Sequence, residues 1–201
     1  MRLPHLETER LLIRPLTIDD LAAVVQLLDV ELAEADFGSE KPASQAERAA
    51  WLQWTVLNYE QLARLYQPPY GERAVTLRTT GQLIGLVGYV PCLAPFDQYA
   101  ALRPAGAQPT RLSTPEFGLY YALAPAFQRQ GYAAEAAGAM IRYAFNALQL
   151  RRIIATTSYD NAASIGVMRK LGMRVERNPY PDPPWLQIVG VLNNPASQGA
   201  T

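Results

Sequence analysis

The chain of 201 residues carries one cysteine, Cys92, and one histidine, His5. One of each excludes a disulfide within the chain and a structural zinc site built from its own Cys and His residues. A Ser-His-Asp mechanism would have to use His5, close to the start of the chain. Lysine is nearly missing: Lys41 and Lys170 are the two, and the other basic residues are arginines. Neither sign of charge is in excess, with 18 Lys+Arg against 18 Asp+Glu. A chain built to hold nucleic acid usually carries a basic excess, so no nucleic-acid partner is expected. Long apolar runs are missing too. No window approaches the roughly 18 residues needed to span a bilayer, and Met1 to Glu7 has no apolar run of signal-peptide length. No membrane partner is expected, and the location expected is the cytoplasm. The chemistry left open uses carboxylates, hydroxyls, backbone amides or a borrowed cofactor.

Composition and length set the frame for what is present. With 49% hydrophobic and 18% charged residues, the chain reads as globular. Its length suits one domain, 1–201, that buries about 70% of its unfolded surface. Arg10 to Pro15 reads as a strand. Thr17-Ile-Asp-Asp starts a helix with acid in its first turn, and Leu21, Val24, Val25, Leu27, Leu28 and Leu32 follow at helical spacing. Ser44 to Leu65 reads as a second helix with Ala49, Leu52, Val56, Leu57, Tyr59 and Leu62 inward. Arg73 to Arg78 and Leu83 to Tyr89, joined by Thr79-Thr80-Gly81-Gln82, read as a hairpin. Five prolines break the pattern over 91–115, which reads as an inserted loop. A strand follows at Glu116 to Leu123. A helix spans Ala133 to Leu148, then come a strand at Arg152 to Ser158 and a short helix from Ala162 that ends at Gly172. Strands at Met173 to Arg177 and Leu186 to Leu192 flank a proline-rich turn, and the polar tail 193–201 is expected to fray. The order is β-α-α-β-β-β-α-β-α-β-β, an α+β class with a mixed sheet and no internal repeat.

The most informative stretch runs from Leu123 to Ala136. A strand ends, a short turn follows, and a helix starts. Gly131 removes a side chain where a ligand needs the backbone, and Ala133 keeps the next position small. Free amides at a helix start, with the positive end of the dipole behind them, suit a phosphate or pyrophosphate. On spacing alone, a plain strand-to-helix turn reads equally well.

Four segments then carry a resemblance. Gln128-x-x-Gly131-x-Ala133 resembles the acyl-CoA pyrophosphate loop of the GNAT superfamily of N-acyltransferases. Leu6-Glu7-Thr8-Glu9-Arg10-Leu11-Leu12-Ile13-Arg14 resembles the opening strand of its ribosomal-protein-alanine N-acetyltransferase type. Gly131-Tyr132-Ala133-Ala134-Glu135-Ala136 resembles that subgroup's loop and helix start. Asn161-Ala162-Ala163-Ser164 with Lys170-Leu171-Gly172-Met173 resembles its Asn-x-x-Ser and Lys-Leu-Gly-Phe segments. The likeness spans residues 6 to 192, and the helix and strand order agrees with the GNAT fold.

The resemblance implies acetyl-CoA as cofactor. Its pyrophosphate would be cradled by the loop Gln128, Arg129, Gln130, Gly131, Tyr132, Ala133 and Ala134, through the backbone amides of Arg129 to Ala134. It implies a pantetheine arm between the strands Glu116 to Leu123 and Arg152 to Ser158, touched by Asn161 and Ser164. N-capping of its helix is an equally simple task for Asn161, and Arg129 also reads as a solvated surface residue. The implied reaction is direct attack of a primary amine, from a small molecule or a protein N-terminus, on the thioester. It needs no metal and no histidine. Glu116 is the first candidate base; Glu135 reads better as a partner of the helix dipole, and Asp160 is a weaker base. Many relatives place a tyrosine acid two residues before the Lys of Lys-Leu-Gly, where this chain has Met168. That leaves Ser164, Tyr159 or water to assist the departing thiolate. The acceptor is expected beside Asp36 to Ala43 and the 91–115 insertion, which reads as a lid, a substrate wall or a dimer arm and leaves a homodimer open. Cys92 reads as a small buried thiol. The competing function is a catalytically silent acyl-CoA-binding or sensing domain.

Overall fold

Strands and helices alternate along the chain in the order β1 Leu6–Glu7, β2 Leu11–Pro15, α1 Leu21–Val25, α2 Gln45–Arg64, β3 Gly71–Leu77, β4 Leu83–Ala94, β5 Thr114–Leu123, α3 Tyr132–Asn146, β6 Arg152–Thr157, α4 Ala162–Lys170, β7 Arg174–Arg177 and β8 Ile188–Asn193. The structure is a computed structural model and describes residues 4–35, 44–68 and 70–198. The acceptor segment expected at Asp36 to Ala43 lies outside the described residues. The strands form a mixed sheet in the order β1-β2-β3-β4-β5-β6-β8-β7. β2 and β3 pair antiparallel, as do β3 and β4, while β5 and β6 run parallel. This is the α+β class read from the sequence, with one extra strand. Leu6 and Glu7 pair with Ile13 and Leu12 across a tight turn, in which the Leu11 amide donates to Thr8 Oγ1 at 2.9 Å. Two residues are too few for a periodic pattern to register.

The chain folds as two compact units, one of Met1–Tyr89 with Tyr120–Met140 and one of Val90–Leu119 with Ile141–Thr201. In the first unit α1 runs on into a π-helical turn over Gln26–Glu31, and Ser44 caps α2 by accepting from the Glu47 amide. Val24, Leu27, Leu28 and Leu52 pack on Ala74, Leu86, Ala122 and Ala124. Leu57, expected inward, is exposed. Thr55 and Arg48 are buried instead, because each brings a partner with it. Thr55 Oγ1 donates to the Trp51 carbonyl, and Arg48 binds both oxygens of Asp29 and lies over the Trp51 ring.

The second unit corrects two expectations. β4 runs past Tyr89 through Pro91 to Ala94, so the irregular segment shrinks to residues 95–113. That segment also builds core: Phe96, Tyr99 and Leu102 pack with Ile154, Leu186, Val189 and Val191. The prolines set its backbone turns, while its apolar side chains are spaced too irregularly to reveal a buried face. The tail differs as well. A turn over Pro195–Gln198 follows β8, and buried Asn194 donates to the Leu150 carbonyl at 3.0 Å. Ser197 Oγ donates to the Asn194 carbonyl. These hydrogen bonds hold a polar segment that composition alone reads as loose.

If residues 95–113 are core rather than lid, truncating Phe96 is expensive. Phe96→Ala is expected to lower unfolding free energy by about 3–5 kcal/mol, measured by denaturant titration; a detachable lid would show less than about 1 kcal/mol.

Candidate active site

The segment between β5 and α3 is shaped by its own side chains. A helical turn over Pro125–Phe127 leads out of β5. Gln128 Nε2 donates back to the Leu123 carbonyl at 2.9 Å, and Gln130 Nε2 donates to the Ala126 carbonyl at 2.7 Å. Both glutamines therefore brace the loop through its own carbonyls, while Gln128, Arg129 and Gln130 all remain exposed. Arg129 and Gly131 both adopt left-handed conformations, with φ of 60° and 86°. Glycine takes that shape freely; for Arg129 it costs on the order of 1 kcal/mol, a strain typical of ligand-holding loops.

α3 begins at Tyr132, and the Glu135 amide donates to the Gly131 carbonyl at 3.0 Å. The amides of Tyr132, Ala133 and Ala134 precede that bond and have no acceptor within the helix. Their dipoles point out of the helix start, which gives the site positive potential without a lysine. The residue types fit an anion such as a pyrophosphate: two small side chains and a glycine leave the amides accessible.

A second group holds this helix start in place. Thr8 Oγ1 donates to Glu135 Oε1 at 2.6 Å, and the Arg10 amide donates to the same oxygen at 3.0 Å. Arg10 Nε donates to Glu135 Oε2 at 2.7 Å, and Arg10 Nη1 donates to the Gln130 carbonyl at 3.1 Å. The Arg10 guanidinium also lies 4.1 Å from the centre of the Tyr132 ring. Tyr132 is thus a cation–π partner at the helix start. Burial alone would raise the Glu135 pKa, yet the bonds from Thr8 and Arg10 outweigh it and hold it below the ordinary carboxylate value. Glu135 is an anchor as well as a dipole partner. Sequence reading missed Arg10 because its partner is 125 residues away.

The remaining candidates lie in the second unit. Asn161 Oδ1 accepts from the Ser164 amide at 3.0 Å, so Asn161 caps α4. Met168 is buried and its sulfur packs against Gly190. Glu116 is almost fully buried, and both of its oxygens are taken by Arg152 Nε and Nη2. With both oxygens already accepting from a guanidinium, neither is left open to an attacking amine, so this geometry does not favour Glu116 for proton removal. Cys92 donates to the Glu116 carbonyl at 3.5 Å. Burial, followed by the charge of Glu116, pushes its thiol up to about 11. It is a neutral thiol at pH 7, half-buried where a buried one was expected.

One carboxyl escaped the sequence reading. Glu72 on β3 stands opposite Gly88 of β4, a residue without a side chain. Burial pushes its carboxyl above the ordinary value, against the opposing effects of its own amide and the Arg48 charge. Tyr120 of β5 faces it and is itself pushed up, first by burial and then by the Glu72 charge. The Tyr59 hydroxyl, pushed up to about 12 by burial, donates to the Glu72 carbonyl and accepts from the Leu16 amide. A lone glutamate in a Gly-Glu-Arg strand start gives no sequence signal of this environment.

Because Glu135 is depressed in the folded state, it stabilises the fold above its unfolded pKa of about 4.5, and that contribution fades as pH falls through the lower folded value. Glu135→Gln is therefore expected to cost about 1–3 kcal/mol at pH 7 and progressively less below pH 4.5, measured by denaturant titration across pH. An equal loss at pH 7 and pH 3 would contradict the anchor.

Known proteins place this architecture. The acetyltransferase (GNAT) domain family matches residues 10–174. An uncharacterized N-acetyltransferase of Bacillus subtilis, YoaA, is 30% identical over 174 residues, covering 86% of this chain and 84% of its own. Among solved structures, the ribosomal-protein-S5-alanine acetyltransferase of Vibrio fischeri superposes with a TM-score of 0.68 at 18% identity, over 96% of this chain and 98% of that one. The ribosomal L7/L12 α-N-protein acetyltransferase RimL, in complex with coenzyme A, superposes with a TM-score of 0.63 at 16% identity, over 94% of this chain and 96% of that one. A left-handed glycine loop opening onto free helix amides, on this sheet and in this match, makes the chain an N-acetyltransferase of the GNAT family.

Proposed function

We propose that the chain transfers the acetyl group of acetyl-CoA to a primary amine of a small molecule or a protein N-terminus by direct attack, with Glu72 as the base. The observation that carries the cofactor assignment is the amide cradle at the start of α3, with Gly131 at its lip and Glu135 tied to Arg10 behind it. Acetyl-CoA, when bound, supplies an activated thioester. The Arg129 to Ala134 backbone holds its pyrophosphate, and the Arg10 guanidinium cancels the Glu135 charge that would otherwise repel it. β5 and β6 pair at one register position, Gly118 with Ile154. That leaves backbone groups on both strands for the amides of a pantetheine arm, with Asn161 and Ser164 as further contacts. RimL was solved with coenzyme A, which supports the same cofactor here. Cytoplasmic residence, where acetyl-CoA is abundant, belongs to this reading.

An attacking amine must be neutral and must shed a proton as the C–N bond forms, while the thioester C–S bond would break and release the coenzyme A thiolate to take up a proton. A carboxylate with a raised pKa, with two tyrosine hydroxyls near it and, among the described residues, no cation bound to both its oxygens, suits that task better than Glu116. Arg48 does not neutralise Glu72, because Arg48 is held by Asp29. The ribosomal-protein enzymes among the fold relatives make a peptide N-terminus a sensible first acceptor to try.

Thiol release from acetyl-CoA over a panel of amines and N-terminal peptides tests the activity, with amine-dependent release expected. Glu72→Gln is expected to lower kcat at least 100-fold with coenzyme A affinity unchanged. It should also remove an acidic limb of kcat/KM that lies above the ordinary carboxylate range. Full activity in Glu72→Gln, with the limb intact, would contradict the assignment.

A further inference from the structure

The turn between β7 and β8 and the chain just past β6 enclose a cavity of about 480 Å³, walled by Tyr159, Arg177, Pro179, Tyr180, Pro183 and Leu186 among others. That volume falls in the range of small-ligand clefts, ~300–1,000 Å³. All of its walls belong to the second unit. Tyr159, Arg177, Pro179 and Tyr180 are exposed, so the cavity is reachable from solvent. It also backs onto the segment beside which the acceptor is expected. Asn178 Nδ2 donates to Gln98 Oε1 at 2.8 Å, and Gln98 Nε2 donates to the Asp182 carbonyl at 3.0 Å.

The walls are held in place. The Tyr159 amide donates to Gln187 Oε1 at 2.7 Å, and its hydroxyl donates to the Asn178 carbonyl at 3.1 Å. The ring is therefore fixed at both ends. Asn178 is buried. Its Nδ2 also donates to the Leu186 carbonyl at 2.7 Å, and its Oδ1 accepts from the Tyr180 amide at 3.0 Å. The proline rings restrict the backbone between these points.

One charge stands in this frame. The Arg177 guanidinium lies over the Tyr159 ring, 3.8 Å from its centre. A guanidinium on an aromatic face keeps its N–H groups available at its edge, and the contact limits the side-chain freedom that binding would otherwise cost. That guanidinium makes no hydrogen bond or ion pair among the described residues. No carboxylate lines the cavity. The acids close by in the chain are engaged or point elsewhere: Glu176 pairs with Arg174 and accepts from the Ala101 amide, Asp182 pairs with Arg111, and Asp160 is exposed and outside the walls. The cavity thus pairs one accessible cation with aromatic and proline rings.

We infer that this cavity selects acceptors that carry a carboxylate in addition to the amine, with Arg177 as the residue that reads it. A guanidinium fork matches the two oxygens of a carboxylate, and the Tyr159 and proline rings pack against the acceptor's apolar carbons. The carboxylate comes either from an acidic side chain of a peptide or from the carboxyl of a free amino acid. The inference rests on the acetyl-transfer reading and adds a substrate class to it.

Matched pairs of acceptors test it. One arm compares a peptide with Glu at its second position with the same peptide carrying Gln. The other compares leucine with leucinamide. Thiol release from acetyl-CoA gives kcat/KM, and calorimetry of each acceptor with the chain saturated in coenzyme A gives affinity without turnover. The carboxylate member of at least one pair is expected to be favoured about tenfold in both measurements, the worth of one charge-assisted hydrogen bond at an exposed site, and the pair that discriminates identifies the source. Arg177→Gln is expected to remove most of that preference, and Arg177→Lys, which keeps the charge and loses the fork, to restore part of it. Equal binding of both members of both pairs by the native chain would overturn the proposal. So would a preference that survives in Arg177→Gln, or an equal loss for the charged and neutral members. Discrimination in binding with no transfer to any acceptor would contradict the acetyl-transfer reading while supporting the carboxylate site.

Discussion

The carboxylate of Glu135 accepts from Thr8 and Arg10, residues 127 and 125 positions away, and those bonds fix where α3 begins. An acid in the first turn of a helix complements the dipole in any protein. Here it does more, because its guanidinium partner also reaches the Gln130 carbonyl inside the loop. The same pair solves an electrostatic conflict. A bare carboxylate beside an anion site would repel the anion, but Arg10 neutralises Glu135 and lies over Tyr132 on the same helix start. The loop's left-handed residues can then hold their shape, since Arg10 fixes the helix end and the Ala124 amide, donating to the Ile84 carbonyl at 2.9 Å, fixes the strand end.

This arrangement explains how a chain with one histidine, one cysteine and no net charge can do group-transfer chemistry. The positive potential comes from backbone amides, which a charge count does not see. The reactive carbonyl arrives already activated on the cofactor. The chain's own demand under the proposed reaction is one carboxyl with a raised proton affinity, and at Glu72 burial pushes it in that direction without any special residue type. Two glutamates in similar strand positions end up with opposite characters. Glu116 is locked by Arg152, whereas Glu72 stands beside tyrosines, and the Arg48 guanidinium that acts on it is committed to Asp29.

Local chemistry was readable in advance. Ser44 and Asn161 cap their helices as their residue types suggest, Gly131 and Gly172 adopt the left-handed shapes their positions required, and most strands and helices fall within a few residues of expectation. What stayed hidden depends on distance along the chain. The inward turn of Arg48 needs Asp29, and the anchoring of Arg10 needs Glu135. The burial of Phe96 and Tyr99 needs β6 and β8. Prolines over 91–115 signalled an irregular backbone correctly, but irregular backbone and loose packing are different properties. Gln128 illustrates the limit within the motif itself: its side chain turns inward to the Leu123 carbonyl, so the site is built from its backbone neighbours.

The central claim is that the start of α3 binds a pyrophosphate through backbone amides. Calorimetric affinities for coenzyme A and for pantetheine, which lacks the pyrophosphate, test it most directly in the native chain and in Gly131→Val. The account predicts that the native chain binds coenzyme A at least 100-fold more tightly than pantetheine, and that Gly131→Val erases the difference while remaining folded. Equal affinity of the native chain for the two compounds, or an undiminished preference in Gly131→Val, would contradict it.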